Sequence, residues 1–105
     1  MRNFTAQQLH QRLQKAEPPL LLDVREEWEF AYCHIEDSIL IPMGQIQFNL
    51  DKLDPGRETV VICHHGIRSR QVARLLEYHG FEDVINLDGG VEDWSSKVDL
   101  QMPRY

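Results

Sequence analysis

The sequence of 105 residues is poor in cysteine and has no long apolar run. Two cysteines cannot build the dense disulfide framework of a small secreted domain. The apolar stretches 20–22 and 60–62 are far shorter than the roughly 20 residues of a membrane-spanning helix. The first residues also lack the apolar segment of a signal peptide. These absences predict a cytoplasmic protein that does not engage a membrane.

Basic residues are scarce as well. Eleven Lys and Arg against seventeen Asp and Glu give a formal net charge of −6. Because an acidic protein repels phosphate backbones, nucleic acid is not expected as a partner. The hydrophobic fraction of 42% is that of an ordinary globular protein, and the length predicts one compact domain over residues 1–105.

Segments of strand and helix character alternate along the chain. A first helix is predicted from Ala6, with Thr5 and Gln8 as a capping box, ending before the prolines at 18 and 19. Strands are predicted at 20–24, 38–42, 59–62 and 84–87, and further helices at 27–32, 44–53, 69–79 and 91–97. This alternation is typical of an α/β fold with a largely parallel sheet. Residues 101–105 are expected to form a loosely held tail.

A reactive cysteine is predicted where the apolar strand 59–62 gives way to a helix. Cys63 follows this strand directly, and ligands of parallel sheets bind beyond the carboxyl ends of the strands. The positive end of the helix dipole and the nearby Arg68 would favour the thiolate. Gly66 can adopt positive φ, so that backbone N–H groups turn inward around an anion. The loop therefore predicts a cradle for a persulfide or an oxyanion.

Three motifs carry a resemblance to a known family. The loop Cys63-His64-His65-Gly66-Ile67-Arg68 resembles the Cys-x-x-Gly-x-Arg active loop of the rhodanese sulfurtransferases. The front and rear motifs of that family are similar to Asp23-Val24-Arg25, Glu29-Phe30, His34-Ile35, Ile41-Pro42 and Gly89-Gly90 with Trp94. The motifs occur in the family's order and cover about residues 5–97.

The resemblance implies a three-layer rhodanese-like domain, with a small, mostly parallel central sheet flanked by helices. The domain core would span 5–97, followed by a C-terminal tail at 98–105. The implied reaction moves a sulfane sulfur from thiosulfate or a similar small anionic donor, through a persulfide on Cys63, to a thiol or protein acceptor. No metal and no organic cofactor is implied.

The resemblance also assigns roles within the loop. Cys63 would be the catalytic nucleophile, and the Arg68 guanidinium would bind the donor anion. Because an exposed loop charge contributes little to stability, Arg68 is not expected to matter for the fold itself. The implied substrate-binding residues are His64, His65, Gly66, Ile67, Arg68 and Ser69.

Two alternatives stay open from the sequence. One is a non-catalytic or relay module that docks on a partner and passes sulfur to it. The other is a cysteine-dependent phosphatase or arsenate reductase, whose loop has five residues between cysteine and arginine. Here four residues intervene, and Ser69 stands where those enzymes have arginine, so a phosphoryl substrate should fit badly. Arg70 should lie on a different side of the helix.

Other candidate residues have structural explanations. Cys33 is interpreted as a structural thiol rather than a partner that resolves Cys63 as a disulfide. A zinc site formed by the cysteines and their neighbouring histidines is disfavoured, because adjacent ligands rarely chelate one tetrahedral ion. Asp23, Arg25 and Glu29 are predicted to form an ion-pair network at the strand ends.

Overall fold

The computed structural model describes all 105 residues, and its strands form one parallel sheet in the order β1-β5-β4-β2-β3. The strands are β1 (Arg2–Phe4), β2 (Leu20–Asp23), β3 (Ile39–Leu40), β4 (Thr59–Ile62) and β5 (Val84–Leu87). The α-helices are α1 (Ala6–Leu13), α2 (Glu27–Tyr32), α3 (Ile67–Tyr78) and α4 (Gly90–Lys97). Two 3₁₀ helices span Met43–Phe48 and Leu50–Lys52. None of these helices combines the length and the apolar character that crossing a membrane requires.

The strand β4 lies at the centre of the sheet and is buried on both faces. Val60 and Ile62 belong to a core cluster that includes Leu9 of α1 and Trp94 of α4. Val61 belongs to a second cluster with Leu76 of α3. Successive strand residues point to opposite faces, so an uninterrupted apolar strand needs cover on both sides. The predicted α/β fold with flanking helices is confirmed.

Local signals in the sequence set several boundaries. The capping box at α1 is confirmed: Gln8 donates its N–H to Thr5 Oγ1 at 3.1 Å, and Thr5 donates its N–H to Gln8 Oε1 at 2.8 Å. The predicted helix at 27–32 is confirmed, and α3 begins two residues earlier than expected. Gly80 follows α3 with a φ of 87°, in the left-handed region where helices commonly end.

Three elements differ from the sequence prediction. The strand β1 was not expected, because three residues carry no periodicity and only its pairing with β5 defines it. The segment predicted as a helix at 44–53 forms 3₁₀ turns, with bonds such as Gln45 N–H to Pro42 O. The helix α1 ends at Leu13, well before the prolines.

The expectation of a loosely held tail is wrong. The side chain of Met102 is only 8% exposed and packs in the cluster that contains Trp94. The Tyr32 hydroxyl donates to the carbonyl of Arg104 at 3.3 Å, and the Arg104 guanidinium pairs with Glu92 at 3.1 Å. Burial of an apolar side chain therefore anchors a segment that its composition suggested was free.

The glycine at the start of α4 allows that helix to approach the loop after β4. Val91 donates its N–H to the carbonyl of Cys63 at 2.9 Å, and Glu92 donates to the carbonyl of His64 at 3.1 Å. A Cβ atom at Gly90 would lie 2.3 Å from the Cys63 carbonyl oxygen. Gly90 also has a φ of 55°, where side chains are strained. The positive φ and the tight packing together explain why glycine occupies position 90.

We expect Gly90→Ala to lower the free energy of unfolding by about 3 kcal/mol, because left-handed strain and a backbone clash act together. Gly80→Ala is the matched control, since Gly80 has a φ of 87° but nothing within 4 Å of its added Cβ. The Gly80→Ala substitution should lower the free energy of unfolding by only about 1 kcal/mol. Urea titrations of the two variants measure the difference, and equal losses would contradict a role for close packing at Gly90.

Candidate active site

The loop between β4 and α3 places Cys63 at the carboxyl edge of the sheet. Cys63 is 1% exposed, and its Sγ accepts a hydrogen bond from the Gly66 N–H at 3.0 Å. Gly66 has a φ of 99° and is the N-cap of α3, so its amide turns back toward the sulfur. The sulfur thus lies beside the first turn of a helix, where unpaired N–H groups favour negative charge.

Ser69 and Asn86 form a buried polar contact next to the sulfur. The Cys63 thiol lies 3.3 Å from Ser69 Oγ, and the Ser69 hydroxyl donates to Asn86 Oδ1. The Asn86 amide in turn donates to Asp88 Oδ1 at 3.0 Å. Asn86 was not predicted from the sequence, although it is the one polar residue in the buried strand β5. That isolated polar position was a usable signal, because buried polar groups need partners.

Arg68 pairs with Glu29 of α2 rather than projecting as a free loop charge. Arg68 donates from Nη1 to Glu29 Oε1 at 2.7 Å and from Nη2 to Oε2 at 2.9 Å. These hydrogen bonds are the main reason why the pKa of Glu29 falls to about 2, against the opposing effect of burial. Arg68 is thus not an unpaired loop charge, and we expect its loss to destabilise the fold, since it would leave a buried carboxylate without its cation.

Three N–H donors of Arg68 have no partner within the protein. A guanidinium carries five N–H groups, and Glu29 takes two of them. The Arg68 side chain is 34% exposed, so the free donors can reach solvent. Pairing with Glu29 thus fixes the guanidinium plane without using all of its hydrogen-bonding capacity.

The predicted ion pair of Asp23 and Arg25 at the strand end is confirmed, whereas the Glu29 carboxylate pairs with Arg68 and not with Arg25. Arg25 is completely buried and donates to both carboxylate oxygens of Asp23, at 2.7 Å for the shortest contact. It also donates to the carbonyl of Cys33 at 2.7 Å and to the Tyr105 hydroxyl at 2.8 Å. The buried charge is thus paired and its N–H groups are bonded, which such burial requires.

The two histidines of the loop stack with an aromatic ring from outside it. The ring of His64 stacks on His65 and on Tyr105, each at a centroid distance of 3.9 Å. Burial, followed by the charge of His65, lowers the pKa of His64. His65 and Ile67 are exposed. Tyr105 was missed in the sequence analysis because no local pattern connects it with a loop about forty residues away.

The second cysteine lies on the other face of the sheet. Cys33 is buried in the cluster of α1 and α4, whereas Cys63 belongs to the cluster of α3. Both thiols are free. No group of three or more His, Cys, Asp or Glu side chains is placed to hold a metal ion. The position of the two cysteines on opposite faces of the sheet favours the interpretation of Cys33 as a structural thiol.

The largest cavity does not include the loop. It measures about 630 Å³ and lies on the side of α1 and α4, between His10, Trp94 and Arg57. None of the residues 63–69 lines it. The Gly66 N–H is the backbone donor that contacts the sulfur, and such an inward-facing amide suits a small anion better than a bulky ligand.

Comparison with known proteins identifies the family. Residues 5–97 match the rhodanese-like domain family. The chain belongs to this family. Its α/β architecture with a parallel sheet is that of a rhodanese-like domain, and the resemblance to this family is confirmed.

Individual relatives agree with this assignment. The rhodanese-like chain is 34% identical over 90 residues to a sulfurtransferase of Allochromatium vinosum, covering 86% of the chain and 84% of the relative. It is 34% identical over 77 residues to the thiosulfate sulfurtransferase GlpE of Coxiella burnetii, covering 73% and 72%. A rhodanese-like domain protein of Staphylococcus aureus has the same fold, with a TM-score of 0.85 at 33% identity and coverages of 90% and 91%. The chain spans about half or less of the length of other curated relatives that it matches.

The Glu29–Arg68 pair predicts a specific acid sensitivity. The folded-state pKa of Glu29, about 2, lies below its ordinary value of 4.5. A depressed carboxyl pKa stabilises the fold above the unfolded-state value, and this contribution is lost as pH falls from about 4.5 to about 2. Glu29→Gln should therefore lower the free energy of unfolding by about 3 kcal/mol at pH 7. The difference from the native protein should shrink as the pH falls from about 4.5 to about 2.

Urea titrations at several pH values between 7 and 2.5 measure this effect. Glu82→Gln is the control, because Glu82 is exposed and its side chain makes no hydrogen bond. That variant should follow the native protein at every pH. A Glu29→Gln penalty that is the same at pH 7 and pH 2.5 would contradict the proposed origin of the acid sensitivity.

Proposed function

We propose that this rhodanese-like domain is a sulfurtransferase that carries a sulfane sulfur as a persulfide on Cys63. The observation that carries the proposal is the hydrogen bond from the Gly66 N–H to Cys63 Sγ, at the N-terminus of α3. An amide at this position supports negative charge on sulfur, whether thiolate or persulfide. The relatives named as sulfurtransferases support the same reaction.

The reaction is a pair of displacements at sulfur. The Cys63 thiolate attacks the outer sulfur of thiosulfate or a similar donor, and a new S–S bond forms. The S–S bond of the donor breaks, and its electron pair leaves on sulfite. A thiolate acceptor, or cyanide in an assay, then attacks the outer sulfur of the persulfide and releases the Cys63 thiolate. No oxidant or reductant is consumed over the cycle.

Arg68 supplies the positive charge that an anionic donor needs. Its three free N–H donors lie at the end of the loop, while Glu29 holds the guanidinium in place. Charge-assisted hydrogen bonds from arginine to an oxyanion are stronger than neutral ones. The amides of His64, His65, Gly66, Ile67 and Ser69 complete the proposed binding loop.

The contacts of the loop disfavour a phosphoryl substrate. Ser69, which stands where a phosphatase has arginine, directs its hydroxyl into the contact with Asn86 and Cys63. Arg70 is exposed, its guanidinium lies 3.4 Å from Asp88, and it makes no hydrogen bond to Cys63. The loop therefore has no guanidinium at the position from which a phosphatase would bind its phosphate.

Intact-mass measurement after incubation with thiosulfate tests the covalent step. The native protein should gain the mass of one sulfur atom, because the persulfide is a covalent product. Cys63→Ser should gain nothing. Cys33→Ser is the matched control and should load like the native protein, since Cys33 lies on the other face of the sheet.

The result also separates the alternatives. Loading that depends on Cys33, or identical masses for all three proteins, would overturn the proposal. A relay module would load sulfur but discharge it slowly to cyanide and faster to a protein thiol. Hydrolysis of an aryl phosphate that depends on Cys63 would favour the phosphatase alternative instead.

Arg68→Lys should raise the KM for thiosulfate about tenfold, because one ammonium replaces the fixed fork of donors. Lysine preserves a charge beside Glu29, so the variant should remain folded. Arg70→Lys is the control and should leave the KM unchanged. Steady-state assays with cyanide as acceptor measure both, and an unchanged KM in Arg68→Lys would remove Arg68 from donor binding.

A further inference from the structure

Tyr105 contacts the active-site region from a segment outside the sheet and the helices. Its hydroxyl lies 2.8 Å from Glu29 Oε2 and 2.8 Å from Arg25 Nη1. Its ring stacks on His64, the residue next to Cys63. One side chain therefore contacts the loop itself, the carboxylate that holds Arg68 and the buried arginine at the strand ends.

The direction of the hydrogen bonds at the Tyr105 hydroxyl is set by chemistry. Arg25 can only donate, so the phenolic oxygen accepts from it and the single O–H is left for Glu29. Burial raises the pKa of Tyr105 to about 12, which keeps this proton in place over the physiological range. Arg25 is itself fixed by Asp23, with both side chains completely buried.

The Glu29 carboxylate depends on Tyr105 for one of its four donors. Oε1 accepts from Arg68 Nη1 and from the Glu26 N–H, whereas Oε2 accepts from Arg68 Nη2 and from Tyr105. The Glu29 side chain is only 5% exposed, so bulk water does not readily replace a missing donor. Removing the hydroxyl would leave Oε2 with Arg68 Nη2 as its one donor, so the carboxylate would lose one of the four hydrogen bonds that fix its orientation.

We propose that Tyr105 is a positioning residue for the anionic sulfur donor: its hydroxyl fixes the Glu29 carboxylate, which holds the Arg68 guanidinium with three donors free beside the Cys63 loop. The inference rests on the proposed function, because it assigns Tyr105 a part in donor binding by Arg68. Tyr105 does not touch the reacting sulfur, and it acts through two intervening side chains.

Tyr105→Phe tests the proposal, because phenylalanine keeps the ring stacked on His64 and removes only the hydroxyl. The KM for thiosulfate should rise roughly three- to tenfold, the size expected for one lost hydrogen bond to a charged group. The kcat should change less than about twofold, since the reacting sulfur is untouched. Discharge of a preloaded persulfide to cyanide should also be unchanged.

Tyr32→Phe is the matched control. The Tyr32 ring packs against Tyr105 with a centroid distance of 5.8 Å, but its hydroxyl donates to the Arg104 carbonyl and does not reach Glu29. This variant should keep the native KM. An equal rise of KM in both variants would mean that general loosening of the segment, rather than the hydroxyl on Glu29, affects the donor, and would overturn the proposal.

A double-mutant cycle examines the route through Arg68. In an Arg68→Lys background, Tyr105→Phe should raise the KM by less than about twofold, because the fork that it positions is already gone. Fully multiplicative effects of the two substitutions would show that Tyr105 acts independently of Arg68. That result would also overturn the proposal.

NMR of the Arg68 guanidinium separates this inference from the proposed function. Arginine side-chain ¹⁵N signals report how tightly the guanidinium is held, with no sulfur chemistry required. The Arg68 signals should show faster motion in Tyr105→Phe than in the native protein or in Tyr32→Phe. Unchanged signals would overturn the positioning role even if Cys63 loads sulfur, whereas mobile signals in a protein that never loads sulfur would contradict only the proposed function.

Discussion

Two buried carboxylates organise the edge of the sheet where the site lies. Asp23 and Glu29 are almost inaccessible to water, and a buried charge is costly unless a cation and hydrogen bonds compensate it. Arg25 and Arg68 supply the two cations, and the Tyr105 hydroxyl lies between Arg25 and Glu29. The need to satisfy these charges joins strand β2, helix α2, the Cys63 loop and the last residues of the sequence into one network.

The backbone of the Cys63 loop is held by the first residues of helix α4. The carbonyls of Cys63 and His64 accept hydrogen bonds from the first amides of α4, which the absence of a side chain at Gly90 allows to come close. Gly66 then reverses the chain so that its N–H faces the sulfur. Carbonyls that are already occupied on one side leave the amide side of the loop for an anion. The geometry at Cys63 thus depends on two glycines far apart in the sequence.

Local features of the sequence were sufficient to predict much of the fold. The apolar run of β4 and the capping box of Thr5 and Gln8 each act within a few residues, and both predictions are confirmed. The 3₁₀ turns after β3 were predicted as an ordinary helix because composition does not distinguish the two hydrogen-bond patterns. The strand β1 was missed for another reason: its three residues become a strand only by pairing with β5, some eighty residues away.

The sequence alone determined the alternation of strands and helices and the spacing of Cys63, Gly66 and Arg68, because these follow from side-chain periodicity and from the order of residues in one loop. Tertiary structure decided which charges meet. Glu29 lies 39 residues from Arg68 and 76 residues from Tyr105 along the chain. Even so, both residues donate hydrogen bonds to the Glu29 carboxylate. Such contacts form only when packing removes water from the carboxylate, since an exposed ion pair would gain little from meeting.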